Sequence, residues 1–482
     1  MSWCVEEMQQ AVGGVPRWAS MPPRDGEQTL VERIVIDSRQ VGAGDAFWAL
    51  PGDAHHGAEF AQEAFMRGAV GVVTDRSVEP WPGGFVLEVP DSRLGLWDFA
   101  SWHREQFTSS VVGVAGSVGK TTTREMIHCA LRGALTGTCS EKNYNNHIGV
   151  PLSLLKAAPR DDYAVLEIAA NAVGQIGALS QLCQPQIGVI TSIGDAHLGG
   201  FGSLEKIIAA KTELLAAIPS GGCAVLPGGD PRIREIVARL DLDVSWFGRV
   251  ADCDVAATQV QYFDGCLRFR ACGQPFRLPV WGRHFLDAAL AAIAVAVLFG
   301  RDLPAVAGAL AEFQPIGMRC EVLHLNDFTV INDSYNASPL ATKTALALLR
   351  EFGSSGRRIA LLGEMSELGE AAGQLHYALG RNVVTGCGAD RLLACGQHAD
   401  AVVRGARSCG MPAAHAAGFA RPEDSIEFVK TLVKPGDVLL VKGSRTVQME
   451  DIVAVLAGGG RRAVACRVGD RWQQDVGFDS NI

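Results

Sequence analysis

Residues 110–124 read SVVGVAGSVGKTTTR, and the way this run must fold frames the rest of the chain. Val111, Val112 and Val114 make a short apolar run rich in β-branched residues, as a buried strand requires. Gly116, Ser117, Val118, Gly119, Lys120, Thr121 and Thr122 then supply a turn of mostly small residues, and Met126, Ile127, Ala130 and Leu131 recur behind it at helical spacing. Strand, glycine turn and helix form one unit with a chemical consequence. Glycines let backbone N–H groups approach a polyphosphate closely, and the helix start adds the positive end of its dipole. Lys120 then neutralises β- and γ-phosphates, while a threonine hydroxyl, Thr121 rather than Thr122, reaches a bound Mg²⁺. The spacing departs from the strict G-x4-G-K-[ST] form, since Val114 stands where its first glycine belongs. An ordinary glycine turn with a solvated lysine is the alternative, so independent phosphate and metal ligands are needed.

A length of 482 residues exceeds one ordinary core and gives a prior of about three domains. Hydrophobic residues at 48% and charged ones at 20% describe a folded, soluble chain. The net charge of −9 argues against nucleic acid as a partner, so basic groups that meet an anion must be local. The thirteen cysteines include no C-x-x-C pair and read as buried thiols in a reducing compartment. Glu6 and Glu7 stand where a signal peptide would be apolar, and the alanine-rich run 286–299 is too short to span a bilayer. A cytoplasmic protein without a transmembrane segment is expected.

Strand and helix patterns alternate along three stretches, 1–91, 92–315 and 316–482, which predicts three α/β domains. In the first, Asp37-Ser38-Arg39 follows an apolar run and reads either as a grip on an anion or as a surface ion pair. In the second, Asn143, Asn145 and Asn146 are either substrate contacts or turn formers. Glu167 is a carboxylate inside the apolar strand 163–170, a costly placement unless it is paired or holds a metal; the metal is the preferred reading. Asp195 and His197 follow the strand 187–191 at its carboxyl end, where ligands bind in parallel sheets. Lys211 sits among alanines in a helix predicted over 204–217, either solvated or modified to carry a carboxylate. In the third, Asp333 to Pro339, Gly363 to Gly369 and Lys442 to Arg445 gather at strand ends of a doubly wound sheet. The active site is expected between the second and third domains.

The order of these motifs resembles the Mur ligases of peptidoglycan synthesis over nearly the whole chain. Asp333-Ser334-Tyr335-Asn336-Ala337-Ser338-Pro339, with Gly363 to Gly369 and His376, is similar to the branch that adds D-alanyl-D-alanine to UDP-N-acetylmuramoyl-tripeptide. The resemblance implies a UDP-substrate-binding first domain, a central P-loop ATPase-like parallel sheet and a Rossmann-like third domain. It implies ATP and two Mg²⁺ ions as cofactors, the tripeptide and the dipeptide as partners, and a monomer. Gly116 to Thr122, Arg319, Asp333 and Asn336 would hold the nucleotide, with Lys120 and Arg319 on its phosphates. Thr121 and Glu167 would hold one metal, and His197 with a carbamylated Lys211 the second. Ser38, Asn145 and Asn146 would face the muramoyl substrate.

Several positions depart from the pattern. His284-Phe285 stands for a His-Asn pair, Ala288 for a later asparagine, and Gly199 for a common glutamate. The run from His56 to Phe60 and that from Pro227 to Asp230 differ as well, so base and uridine contacts are not carried over. The competing readings are a diamino-acid-adding or folylpolyglutamate-type ligase and a nucleotide switch without ligation. The combination of Glu167, His197, Lys211 and Arg319 argues against the switch, which needs neither a second metal nor an arginine from another domain.

Overall fold

The computed structural model describes residues 2–19, 29–194, 198–325 and 327–458. Three α/β units follow one another, each around its own sheet. In the first, five strands lie in the order Val15–Trp18, Phe85–Glu88, Gly71–Thr74, Asp45–Trp48, Arg33–Val35, all parallel except the first. A 3₁₀ turn, Gly57–Phe60, precedes the helix Ala61–Met66, and the His56 ring accepts the Ala58 N–H to cap it.

The helix Ser92–Glu105 joins the first unit to the second. Asp91 caps it by accepting the Arg93 and Leu94 N–H groups, and its last turn carries Arg104, whose charge suits the dipole. Phe99 on this helix is fully buried, with Trp3 and Trp48 on one side and the central strand residues Val111 and Leu166 in the same cluster. The junction is therefore a shared core, not a loose linker.

In the second unit the predicted strand is Ser110–Ala115, and the glycine turn leads into the helix Lys120–Leu131. The strand lies inside a seven-stranded parallel sheet, between Ile187–Ile190 and Tyr163–Glu167. Phe285–Leu298, apolar on every side, is buried against the helix Lys120–Leu131, as an all-round hydrophobic helix must be. An antiparallel three-stranded sheet, Thr258–Phe263, Cys266–Ala271 and Gln274–Leu278, has no counterpart in the sequence reading. The predicted helix 204–217 ends at Thr212, with a 3₁₀ turn over Leu215–Ala217.

The third unit is a six-stranded sheet, parallel except for the edge strand Glu321–Leu325. Helices cover both faces: Pro339–Glu351 and Ala372–Asn382 pack into one cluster, Ile426–Leu432 and Glu450–Leu456 into another. Its strands are the doubly wound set expected from the apolar runs at 328, 359, 391 and 437.

Candidate active site

The glycine turn is laced to the neighbouring loop at 191–194. Ser117 N donates to the Ser192 carbonyl (2.9 Å), Val118 N to Ser192 Oγ (3.0 Å), and Thr191 Oγ1 to the Val118 carbonyl (2.7 Å). Gly116 and Gly119 have φ of +145° and +86°, and a Cβ on Gly116 would lie 2.1 Å from Thr191 Oγ1, so that position admits only glycine. Lys120 Nζ folds back to donate to the carbonyls of Gly116 (2.9 Å) and Ser117 (3.2 Å). Desolvation by the surrounding walls lowers its pKa, with Arg319 lowering it further.

A cleft of about 740 Å³ opens between the second and third units. Ser117 to Thr122, Asn145, Asn146 and Glu167 line one wall; Arg319, Asp333 and Asn336 line the other. The contact across it is direct: Arg319 Nη2 donates to Thr121 Oγ1 (2.9 Å), and the guanidinium lies 4.1 Å from the centre of the Tyr335 ring. Tyr335 was not singled out from sequence; its cation–π contact is visible only once the two segments meet.

Glu167 ends the strand Tyr163–Glu167 and is 2% exposed. Asn145 Nδ2 donates to its Oε1 (2.8 Å), and Arg124 Nη1 lies 3.3 Å from its Oε2. The salt-bridge reading set aside from sequence is thus present, with Arg124 as the unforeseen partner. Asn146 Oδ1 accepts the Ile148 (3.1 Å) and Gly149 (2.9 Å) N–H groups, so its carbonyl forms a turn while the residue lines the cleft.

On the opposite wall, Asp333 Oδ2 accepts from Lys442 Nζ (2.6 Å) and Oδ1 from Cys320 N (3.1 Å). Lys442, 2% exposed, also reaches the Asn336 carbonyl (2.8 Å), so Asp333 and Asn336 are braced by a lysine that the sequence reading left among motif residues. Asn336 Oδ1 accepts the Ala337 N–H. His284 and Phe285 line the same cleft.

Ser38 and Lys211 are not among the residues lining it. Ser38 lies in the 3₁₀ turn Ser38–Gln40 of the first unit, 7% exposed, and its Oγ donates to Glu63 Oε2 (3.2 Å). Beside it Arg39 pairs with Asp37, Nε to Oδ1 at 2.9 Å, which is the ion-pair alternative. Asp195 and His197 lie outside the described residues.

Lys211 is 1% exposed, which corrects the solvated-lysine alternative. Its Nζ donates to the Ala170 carbonyl (3.2 Å) and lies 5.0 Å from the Phe201 ring centre. Glu213, two residues on, accepts from the Gly174 (2.6 Å) and Gly177 (2.8 Å) N–H groups instead. Burial, helped by Lys120, pushes the Lys211 pKa down to about 7. Between that value and the ordinary lysine range near 10.4 the unfolded chain binds the extra proton, so stability rises with pH across this window. Lys211→Met is expected to remove a rise of up to about 1.4 kcal/mol per pH unit and to stabilise the protein at neutral pH. Urea unfolding at stepped pH checks this; parallel curves for parent and variant would refute it.

The loop after Arg358–Leu362 closes the cleft's far end. Ser366, Glu367 and Leu368 line the cleft, and Gly199 N of the second unit donates to the Glu367 carbonyl (2.8 Å). Glu364 at the loop's start bonds His398 through Nδ1, with His376 Nε2 3.4 Å away. Their ligand atoms lie within 4.8 Å of one another, yet His376 Nε2 accepts the Met365 N–H (3.0 Å), so the group fits a hydrogen-bonded brace better than a metal site. A Cβ on Gly199 would meet Gly369 N at 2.7 Å and the Glu367 carbonyl oxygen at 2.8 Å. Gly199→Val is therefore expected to pry this seam open, lowering Tm and lowering kcat/KM roughly tenfold or more. Steady-state kinetics with parental kcat/KM would show that the seam does not govern the cleft.

Family models match the segments that build this site: "Mur ligase middle domain" over residues 114–296, "Mur ligase, glutamate ligase domain" over 318–445, and "Mur ligase family, catalytic domain" over 30–81. The UDP-N-acetylmuramoyl-tripeptide–D-alanyl-D-alanine ligase of Bacillus subtilis is 31% identical over 431 residues, 89% of this chain and 93% of the relative. The chain belongs to the Mur ligase family. The enzyme of the same name from Escherichia coli is 30% identical, over 90% of this chain and 96% of its own. Among solved structures, MurF from Acinetobacter baumannii superposes with a TM-score of 0.84 at 30% identity, covering 95% of this chain and 99% of its own. MurF ligase from Thermotoga maritima in complex with ADP gives 0.75 at 28% identity, over 88% and 97%. In this Mur ligase the cleft lies where the middle and glutamate ligase domains meet.

Proposed function

We infer that this Mur ligase uses ATP to join D-alanyl-D-alanine to UDP-N-acetylmuramoyl-tripeptide in peptidoglycan synthesis. The reading is carried by identity of about 30% over some nine-tenths of both chains with ligases of that name, together with a phosphate loop facing an arginine across one cleft. The tripeptide's terminal carboxylate attacks the γ-phosphorus, ADP leaves, and the dipeptide amine then displaces phosphate from the acyl phosphate. Lys120 and the N–H groups of the loop take the phosphate charge, and Arg319 meets the γ-phosphate as the third domain closes. Asp333, held by Lys442, and Asn336 bind the nucleotide from that domain, while Asn145 and Asn146 orient the muramoyl peptide. Ser38 belongs to the domain that holds the UDP end.

The oxygen donors Thr121 and Glu167 fit Mg²⁺, which would neutralise phosphate charge during transfer. The buried amine of Lys211, its pKa lowered by desolvation to about 7 and with no carboxylate partner among the described residues, suits carbamylation; the carbamate and His197 would serve a second ion. A cytoplasmic monomer is the corresponding state. No helix among the described residues is long and apolar enough to cross a membrane.

Phosphate release from ATP, with tripeptide and dipeptide omitted in turn, tests the assignment. Release that requires all three substrates, with a pentapeptide product by mass, is expected. Release without the dipeptide would point to a diamino-acid-adding or folylpolyglutamate-type ligase, and tight ATP binding without release to a switch.

A further inference from the structure

The antiparallel sheet over 258–278 carries a charge arrangement that the main cleft does not use. Register aligns Gln261, Arg268 and Arg277 in one row across its three strands, and Arg270 follows Arg268 on the same face. Side chains directly opposite on one face are close neighbours, and like charges there destabilise the sheet. Among the described residues no carboxylate pairs with any of the three: Arg270 donates to the Gly273 carbonyl and Arg277 Nε to Cys266 Sγ (3.3 Å). This occurs in a chain of net charge −9, where acidic partners are plentiful.

The three arginines, with Gln259 and Gln261, line a groove of about 460 Å³ that no aspartate or glutamate enters. Phe269 and Phe276, 2% and 3% exposed and stacked with ring centres 5.3 Å apart, form the buried side of the sheet beneath the arginines, and Ala307 and Ala311 of the helix Leu303–Ala311 form a wall of the groove. We propose that this groove binds a phosphate-bearing anion. Guanidinium forks pair bidentately with phosphate oxygens, and the volume falls in the range of about 300–1,000 Å³ typical of small-molecule sites. The bound anion offsets the repulsion between Arg268 and Arg277. The site is separate from the phosphate loop but only one helix away: Cys129 Sγ, on the helix Lys120–Leu131, donates to the Ala309 carbonyl (3.1 Å).

Inorganic pyrophosphate is the probe, titrated calorimetrically into the full chain carrying Lys120→Ala so that the phosphate loop is silenced. One saturable site is expected, with a pyrophosphate-dependent rise in Tm. Adding Arg268→Ser and Arg277→Ser should weaken binding by roughly tenfold or more and abolish the Tm rise. The same pair in the parent background should leave ligation at the parental rate, which shows that the fold and the main cleft are intact. No saturable binding to Lys120→Ala protein, or equal affinity with and without the two arginines, would overturn the proposal. So would arginine-dependent retention on phosphatidylglycerol vesicles without pyrophosphate binding, which would make this face a lipid-binding surface instead.

Discussion

Lys120→Ala is expected to reduce ATP-dependent ligation by roughly 10³-fold while leaving the fold unchanged. The ammonium sits at the start of the helix Lys120–Leu131, where among the described residues its hydrogen-bond partners are the Gly116 and Ser117 carbonyls and no carboxylate. Its lowered pKa means that the surroundings disfavour the charge in the absence of an anion. A polyphosphate opposes that: the anion favours the charged form and gains a partner already desolvated, which strengthens the attraction relative to water. Because kcat depends on charge that develops on the transferred phosphoryl group, the loss should fall on kcat as well as on KM for ATP. The fold should tolerate the change, since the apolar face of the helix, Met126, Ile127, Ala130 and Leu131, carries its packing. Circular dichroism and Tm verify that point. Turnover within tenfold of the parent in a folded variant would remove Lys120 from the phosphate site.

The elements around Lys120 were legible because their signals are local. A β-branched run, two glycines that take left-handed φ and a helical repeat need no distant partner to be read. The strands of the third unit were legible for the same reason, as apolar runs such as Arg391–Cys395. The three-stranded sheet escaped because Thr258–Phe263 presents mostly polar residues and its alternation is weak. Its hairpins did carry a signal: Asp264-Gly265 and Cys272-Gly273 both adopt positive φ at both positions, as a two-residue primed turn demands.

In the cleft, residue types were readable but partners were not. Arg124 and Glu167 are 43 residues apart, and Asp333 and Lys442 are 109 apart. No spacing rule joins either pair; the parallel pairing of Phe328–Asp333 with Val438–Lys442 is what brings the second together. The scarcity of local partners for Lys211 was visible in its alanine-rich context, whereas its burial came from the packing of a whole domain.

Arg319→Ala should lower kcat by roughly 10²–10³-fold, and the backbone around it gives the reason. Met318 and Cys320, on either side, hold φ of +60° and +51°, a conformation that costs a side-chain-bearing residue about 1–3 kcal/mol. The surroundings enforce it: Met318 N donates to Glu321 Oε2 (3.1 Å), Tyr335 N to the Met318 carbonyl (3.2 Å), and Cys320 N to Asp333 Oδ1 (3.1 Å). That strain aims one guanidinium across the cleft onto Thr121 Oγ1, with the Tyr335 ring supporting its flat face. When phosphate occupies the loop, the same guanidinium is the nearest cation supplied by the opposite domain, so its contribution exists only in the closed state. Arg319→Lys keeps the charge but loses the planar fork and the stacking, and should recover only part of the rate. Single-turnover phosphate release separates the chemical step from substrate binding. A kcat for Arg319→Ala within a few-fold of the parent would mean that the arginine serves the fold of the seam and not the phosphoryl transfer.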